Sequence, residues 1–379
     1  MRFLTGGESH GPSLTAIIEG LPAGLRVDSE AIDRDLARRQ SGHGRGGRMR
    51  IEQDRVEVLG GIIAERTIGA PVVLRIINND WANWKERWAM GDLPSISIPR
   101  PGHADYAGMR KYGSNDARPI LERASARETA ARVAIGAVAR ILLRQFDIDV
   151  GSTVYSIGVV DGPISGEPST WAEIWALSEK SPVRCADEDA SRRMMKAIDA
   201  ATDAKDSLGG RFTVVATGVP AGLGSHVHWD RRLDGLIGQA VLSIPAVKGV
   251  EIGNGFANAR RRGTEVHDPL DADGRGHVVR PTNRAGGIEG GISNGEPIVV
   301  HAAMKPIPTT VSPQRSVDLS TGESAQTAYQ RSDVCAVPAA AVVGESMLAW
   351  VLAAAVCEKL GGNSIEEMKV HHRAWSERG

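Results

Sequence analysis

Two thirteen-residue stretches, SLTAIIEGLPAGL (13–25) and RFTVVATGVPAGL (211–223), carry Thr15/Thr213, Gly20/Gly218, Pro22/Pro220, Ala23/Ala221, Gly24/Gly222 and Leu25/Leu223 at identical spacing. Each reads as a β-rich run that stops at a Pro-Ala-Gly turn. An aspartate and a helical pattern follow each copy, Asp28 before EAIDRDLARRQ and Asp230 before RRLDGLIGQAVLS. Two copies are too few for a solenoid. The repeat therefore points to two similarly built halves, roughly residues 1–150 and 205–360, each made of strands followed by a helix.

Between the copies, RASARETAARVAIGAVARILLRQF (123–146) is Ala-rich and apolar on almost every face, and Ser125 and Glu128 stand at the S-x-x-E spacing of a capping box. A helix apolar all round is buried between layers. A second such helix is expected at 339–360. The apolar run 337–357 carries Glu345 in its middle and is followed by a glycine stop, which marks a core helix rather than a membrane span. EDASRRMMKAIDAATDAKD (188–206) reads as a third, more exposed helix, and strands are expected at 55–63, 70–77, 211–219, 249–256 and 297–304. No linker or composition break separates the halves. The expectation is one α+β domain over 1–379, with strands on both sides of central helices.

Forty-five basic residues face 46 acidic ones, for a formal net charge of −1, so any strongly basic site must be local. Thirty-six of the basic residues are arginine, whose planar fork matches carboxylate and phosphate oxygens. The three cysteines, Cys185, Cys335 and Cys357, are far apart and show no metal-type spacing, which implies a reducing compartment and no disulfide framework. HVH (226–228) and HH (371–372) lack a third ligand, and no metal is expected. With no export signal read at the start of the sequence, the expected location is the cytoplasm.

The arginines concentrate in RRQSGHGRGGRMR (38–50), which holds five arginines and four glycines and no carboxylate. Its G-x-G-x-x-G follows a helix and leads into a strand-like run, the reverse of the dinucleotide-binding context. It reads either as a loop that brings Arg39, Arg45 and Arg48 onto a polyanion, its flexible glycines allowing close backbone approach to the ligand, or as a solvated or nucleic-acid-binding basic loop. GESHG (7–11) and RPGHADYAG (100–108) place His10 and His103 in glycine-rich loops, where imidazole is available for proton transfer. Ser125, between Arg123 and Arg127, opens the first buried helix, a position suited to an anion. Asp333 precedes the second, as its cap or as a base. The long turn-rich stretches 41–50, 78–119, 263–296 and 305–335 are of functional rather than connecting length.

GESHG, RQSGHGRGGRMRIE, RPGHAD, RASARETAARVAIGA, DSLGG, AVKGVEIG, GGIEGGISNGEPI, KPIPT and RSDVCAVPA, in this order along the chain, resemble the chorismate synthase family. The resemblance implies a β-α-β sandwich assembled as a homotetramer, and an anti 1,4-elimination of phosphate from 5-enolpyruvylshikimate 3-phosphate that uses reduced FMN without net redox change. It further implies that Ser9, Arg39, Arg45, Arg48, Arg100 and Arg127 hold the substrate. Arg123, Ala124, Ser125, Pro245, Ala246, Gly290, Lys305, Pro306, Ile307, Pro308, Thr309 and Arg331 would lie against the flavin. Pro245 stands where the family usually has a polar side chain, which leaves a backbone contact. By the same resemblance His10 protonates the leaving phosphate, His103 sets the protonation of the flavin, and Asp333 takes a proton from flavin N5. NADPH or an external flavin reductase would supply the reducing equivalents. Two rivals stay open at this point: an FMN-dependent oxidoreductase acting on a polyanion, and a nucleic-acid-binding protein, against which the balanced charge and scarce aromatics count.

Overall fold

A computed structural model describes residues 1–46, 53–163, 170–274, 278–328 and 332–377. Alternating apolar and polar residues in the first half form β1 (Arg2–Gly6), β2 (Ser13–Glu19), β3 (Val56–Gly60) and β4 (Val72–Ile77), an antiparallel sheet in the order β1-β2-β4-β3. Leu14, Ala16 and Ile18 of β2 and Val72, Leu74 and Ile76 of β4 make its buried face, the period of two expected of a sheet covered on one side. The second sheet comprises β5 (Asp149–Ile157), β6 (Val160–Asp161), β7 (Gly210–Thr217), β8 (Val247–Ile252) and β9 (Ile298–Met304), in the antiparallel order β8-β9-β7-β5-β6.

Helices pack between and around the sheets. The main ones are α1 (Ser29–Gln40), α2 (Arg118–Ala124), α3 (Thr129–Arg144), α4 (Glu188–Asp203), α5 (Leu233–Leu242) and α6 (Val337–Leu360). α3 packs on β2 and β4, α6 packs on β5 and β7, and the two helices pack on each other. The architecture is the expected α+β sandwich of sheet, helices and sheet. α6 is long and apolar enough to cross a membrane, yet its most apolar window is 83% buried inside the protein.

Glycine sets the spacing of these layers. A Cβ on Gly136 of α3 would overlap the backbone and side chain of Ser346 on α6, and one on Gly344 would lie 2.8 Å from Phe212 and Val214 of β7. Both helices thus approach their neighbours more closely than any other residue permits. Glu345, fully buried on α6, accepts hydrogen bonds from Arg38 (2.9 Å), Arg140 (3.1 Å), Arg184 (3.0 Å) and Ser152 (2.6 Å). Burial pushes its carboxyl up, but the three guanidinium groups outweigh burial and hold it down at about 2.

The repeated turns are built alike. In the first, the Thr67 hydroxyl accepts from Leu25 N–H and donates to the Pro22 carbonyl; in the second, the Ser293 hydroxyl does the same with Leu223 and Pro220. Gly24 and Gly222 have φ of 84° and 105°, the left-handed region in which glycine alone is unstrained.

Two capping expectations, at Ser125 and Asp333, are corrected, and the two aspartates after the repeat copies differ. Ser125 does not open a long helix through a capping box: its hydroxyl accepts from Arg127 N–H over a single 3-10 turn, and α3 begins at Thr129, while the Glu128 carboxylate pairs forward with Arg132. Asp28 caps α1 as its position suggests, but Asp230 caps nothing and bonds His228. Asp333 is not a cap, because α6 starts after Ala336 without a side-chain cap.

Gly136→Ala is expected to lower the unfolding free energy by about 1–3 kcal/mol through overpacking, measurable by urea titration. Glu345→Gln is expected to cost about 3–5 kcal/mol at neutral pH, because three buried guanidinium groups lose their counter-charge. The carboxyl is held below its unfolded value of 4.5, so its contribution is complete above that pH and is lost as pH falls toward 2. The gap between wild type and Glu345→Gln in parallel urea titrations should close over that window.

Candidate active site

The loops at one end of the two central helices enclose a cavity of about 830 Å³, inside the roughly 300–1,000 Å³ range of small-molecule and cofactor sites. Ser9, His10, Arg39, Arg45, Arg100, His103, Arg123, Ala124, Ser125, Arg127, Pro245, Ala246, Lys305, Ile307, Pro308, Thr309 and Asp333 all line it. Residues at the N-terminal ends of α3 and α6, among them Thr129 and Ala336, are also on its wall. The positive ends of two helix dipoles therefore add to the guanidinium charge. Pro306 is not itself on the wall, and Gly290 lies elsewhere, at the exposed turn between Ile288–Glu289 and Ile292–Ser293. Arg48 and Arg331 lie outside the described residues.

Buried carboxylates hold the arginines. Asp54 accepts from Arg39 (2.7 Å) and from Arg127 (2.6 Å). Burial alone would raise the Asp54 carboxyl, but the two guanidinium groups hold it below its ordinary value. Arg39 is lowered to about 10, first by burial and then by Arg127 and Arg45, with Asp54 opposing; it stays charged at neutral pH. Arg127 also donates to Asn78 Oδ1 (2.8 Å), and the Asn78 amide donates to the carbonyls of Glu8 and Gly11. One asparagine thereby joins the arginine pair to the His10 loop.

The two histidines share a pattern. His10 Nδ1 lies 2.9 Å from Glu122 Oε1 on α2, and its backbone N–H donates to Oε2 of the same carboxylate at 2.9 Å. The Trp84 ring lies 4.2 Å from the imidazole, centroid to centroid. Ser9 donates to Ser125 Oγ at 3.1 Å, which brings the first loop against the start of the central helices. His103 Nδ1 lies 2.5 Å from Asp105 Oδ1, and Arg100 donates to Asp105 Oδ2 (2.8 Å) and to Thr309 (2.9 Å). Burial would raise Asp105, but His103 and Arg100 hold it well below the usual carboxylate range. In both rings a carboxylate takes Nδ1, and at His103 the Arg100 guanidinium also lies against Nδ1 (3.0 Å) and Nε2 (3.3 Å).

Asp333 faces the arginine loop. It accepts from Arg45 (2.6 Å) and from Gly46 N–H (2.6 Å). A Cβ on Gly44 would lie 2.7 Å from Ile198, and one on Gly46 would lie 2.6 Å from the Ser332 carbonyl. These two glycines serve the packing of the loop on α4 and on 332–335, a role the sequence reading assigned to close approach of a ligand.

The wall between these charges is apolar, built by Ile244, Pro245, Ala246, Met304, Ile307, Pro308, Ala339, Ala340 and Val343. Lys305 donates to the Gly102 carbonyl (2.7 Å), and burial, with Lys248 adding, lowers its pKa. Such a surface suits a planar ring with an anionic tail. Among the described residues, no cluster of three or more His, Cys, Asp or Glu could hold a metal ion. Asp54, Asn78, Trp84, Arg118 and Glu122 were not singled out from the sequence. Arg118 and Glu122 are four residues apart on α2, but the contacts that join Asp54, Asn78, Trp84 and Glu122 to Arg127 and His10 reach across the fold.

A family model described as Chorismate synthase matches residues 1–357. A Symbiobacterium thermophilum protein named Chorismate synthase is 55% identical, with 100% of this chain and 99% of the relative covered. One of the same name from Desulforudis audaxviator is 52% identical, with 100% and 98% covered. A solved structure titled "Crystal Structure of Chorismate Synthase" superposes with a TM-score of 0.81 at 43% identity, covering 100% of this chain and 97% of that one.

Asp54→Asn is expected to lower the unfolding free energy by about 3–5 kcal/mol by leaving Arg39 and Arg127 without a counter-charge. Inorganic phosphate should recover more stability in the variant than in the wild type, because the unbalanced pair gains an anion. Urea titrations with and without phosphate check this.

Proposed function

The chain belongs to the chorismate synthase family, and from that premise we propose that its arginine-walled cavity binds 5-enolpyruvylshikimate 3-phosphate beside reduced FMN. The observation that carries the reading is the convergence of Arg39, Arg45, Arg100, Arg123 and Arg127 with two carboxylate-backed histidines on one cavity. The substrate carries a phosphate and two carboxylates. Guanidinium groups and two helix N-termini supply complementary charge, and the buried Arg39, Arg100 and Arg127 act where such charge is worth most.

In the 1,4-elimination the ring C–O bond to phosphate and a C–H bond across the existing double bond both break, and a conjugated diene forms. The phosphate leaves more readily as its developing charge is neutralised. Arg39, Arg45 and Arg127 neutralise it, and His10 donates the proton it holds at Nε2 to a phosphate oxygen. Reduced FMN, when bound, supplies the transient electron donation that this elimination needs and returns unchanged. It would be held by Arg123, Ala124 and Ser125, by the backbone at Pro245 and Ala246, and along Lys305 to Thr309; Arg331 belongs to the same reading. The apolar wall and the Lys305 ammonium fit such a group. His103 would lie beside the flavin and set its protonation, and Asp333, once Arg45 turns to the substrate, would take up on the flavin side the proton that the broken C–H bond releases. The homotetramer, reduction of the flavin by NADPH or by a separate reductase, and a cytoplasmic location belong to this reading through the family resemblance.

An anaerobic assay with the enolpyruvyl phosphate substrate and chemically reduced FMN tests it. Many turnovers per reduced flavin are expected, whereas one oxidised flavin per product would mark an oxidoreductase instead. His10→Ala and His103→Ala should each lower kcat by about 10²- to 10⁴-fold with the fold retained; wild-type rates from both would remove the two assignments.

A further inference from the structure

We infer that Glu122 is a positioning residue for His10: its buried carboxylate fixes the ring with the Nδ1 proton turned inward, so that Nε2 is the acidic position offered to the cavity. The inference rests on the reading of His10 as the acid that protonates the leaving phosphate.

The geometry is specific. Both Glu122 oxygens lie within 3.1 Å of His10 Nδ1, and one of them also accepts the His10 backbone N–H. Ring and main chain of a single residue are therefore held by one carboxylate, while Ser9 N–H donates to the Glu122 backbone carbonyl at 2.9 Å. The Glu122 side chain is 4% exposed and that of His10 17%, so the carboxylate lies on the protein side of the ring and the ring lies nearer the cavity. Trp84 covers the imidazole, and the Arg118 guanidinium lies 5.6 Å from the Trp84 ring and 3.4 Å from Glu122 Oε1. A carboxylate this deep is costly to bury unless its partners are cationic or strong donors. Burial would raise the Glu122 carboxyl, yet His10 and Arg118 hold it below its ordinary value.

A capping role for the loop would be satisfied by the backbone N–H alone. The additional bond to Nδ1 is what a carboxylate needs to select a tautomer and to stabilise an imidazolium, as in carboxylate–histidine pairs elsewhere in catalysis. The second cavity histidine is likewise held at Nδ1 by a carboxylate, Asp105, although there the Arg100 guanidinium also lies against the ring nitrogens. Two unrelated loops have thus converged on one device within one cavity.

The test uses the full-length protein with reduced FMN and compares wild type with Glu122→Gln, Glu122→Asp, His10→Ala and the His10→Ala/Glu122→Gln pair. Glu122→Gln keeps the shape but removes the charge. It should lower kcat by about 10- to 100-fold with the substrate KM within about twofold, and Glu122→Asp should recover part of the loss. In the His10→Ala background the same substitution should have no further effect on kcat, since Glu122 acts only through the ring. Nitrogen-15 NMR of labelled histidine, with His10 assigned by difference from His10→Ala, should show the Nδ1–H tautomer for neutral His10 in the wild type. That tautomer should be lost or mixed in Glu122→Gln. Wild-type kcat in His10→Ala would remove the acid reading itself. A slow His10→Ala beside a wild-type Glu122→Gln would overturn this inference alone, as would an equal loss in both backgrounds. If Glu122→Gln does not fold, Glu122→Asp and the wild-type tautomer decide, and an Nε2–H tautomer in the wild type overturns the inference.

Discussion

Asp54, buried between Arg39 and Arg127, meets the constraint on which the cavity depends: guanidinium groups that must stand close together repel one another and cannot be buried without counter-charge. The chain solves this by giving most of the cavity arginines carboxylates of their own, while Arg123 donates to Thr5 and Gly7. Arg39 and Arg127 share Asp54, Arg100 holds Asp105, Arg45 holds Asp333, and Arg118 lies against Glu122. Each pair carries a desolvation cost that its geometry must offset. The return is preorganisation, because side chains already fixed in place lose little entropy when a ligand arrives.

Glu345 applies the same logic away from the cavity. It sits in the middle of an otherwise apolar helix because Arg38, Arg140 and Arg184 converge there from α1, α3 and the segment before α4. Hydrophobic packing alone would let a helix apolar on all sides rotate or slide. The charged junction at Glu345 and the close approach of Gly136 to Ser346 specify one register between the layers. Arg38 and Arg39 are adjacent on α1, so the junction and the cavity are anchored by neighbouring side chains of one helix.

Much of this was legible in the sequence, for identifiable reasons. Periodicity located both central helices and the principal strands, and the two Pro-Ala-Gly turns carry matching hydrogen bonds. The loop histidines and arginines stood out by residue type and setting. Of the carboxylates that hold them, Asp333 was singled out, but Asp54 and Glu122 were not. Asp54 lies 73 residues from Arg127 along the chain, and Glu122 lies 112 from His10, so no local pattern could join them. The S-x-x-E spacing at Ser125 misled because a 3-10 turn inserted before α3 rotates Glu128 onto Arg132. The glycines of the basic loop were read by their flexibility alone. Their reason is steric, and it becomes visible only where 332–335 lies against them.

Histidines and carboxylates change charge with acidity, but main-chain amides do not. Because α3 and α6 both present their first turns to the cavity, part of its pull on anions comes from peptide dipoles that no proton can switch off. A phosphorylated compound would therefore meet a standing attraction wherever the polypeptide remains native, and the effect of acidity on its retention would be set chiefly by the ionisation of the visitor.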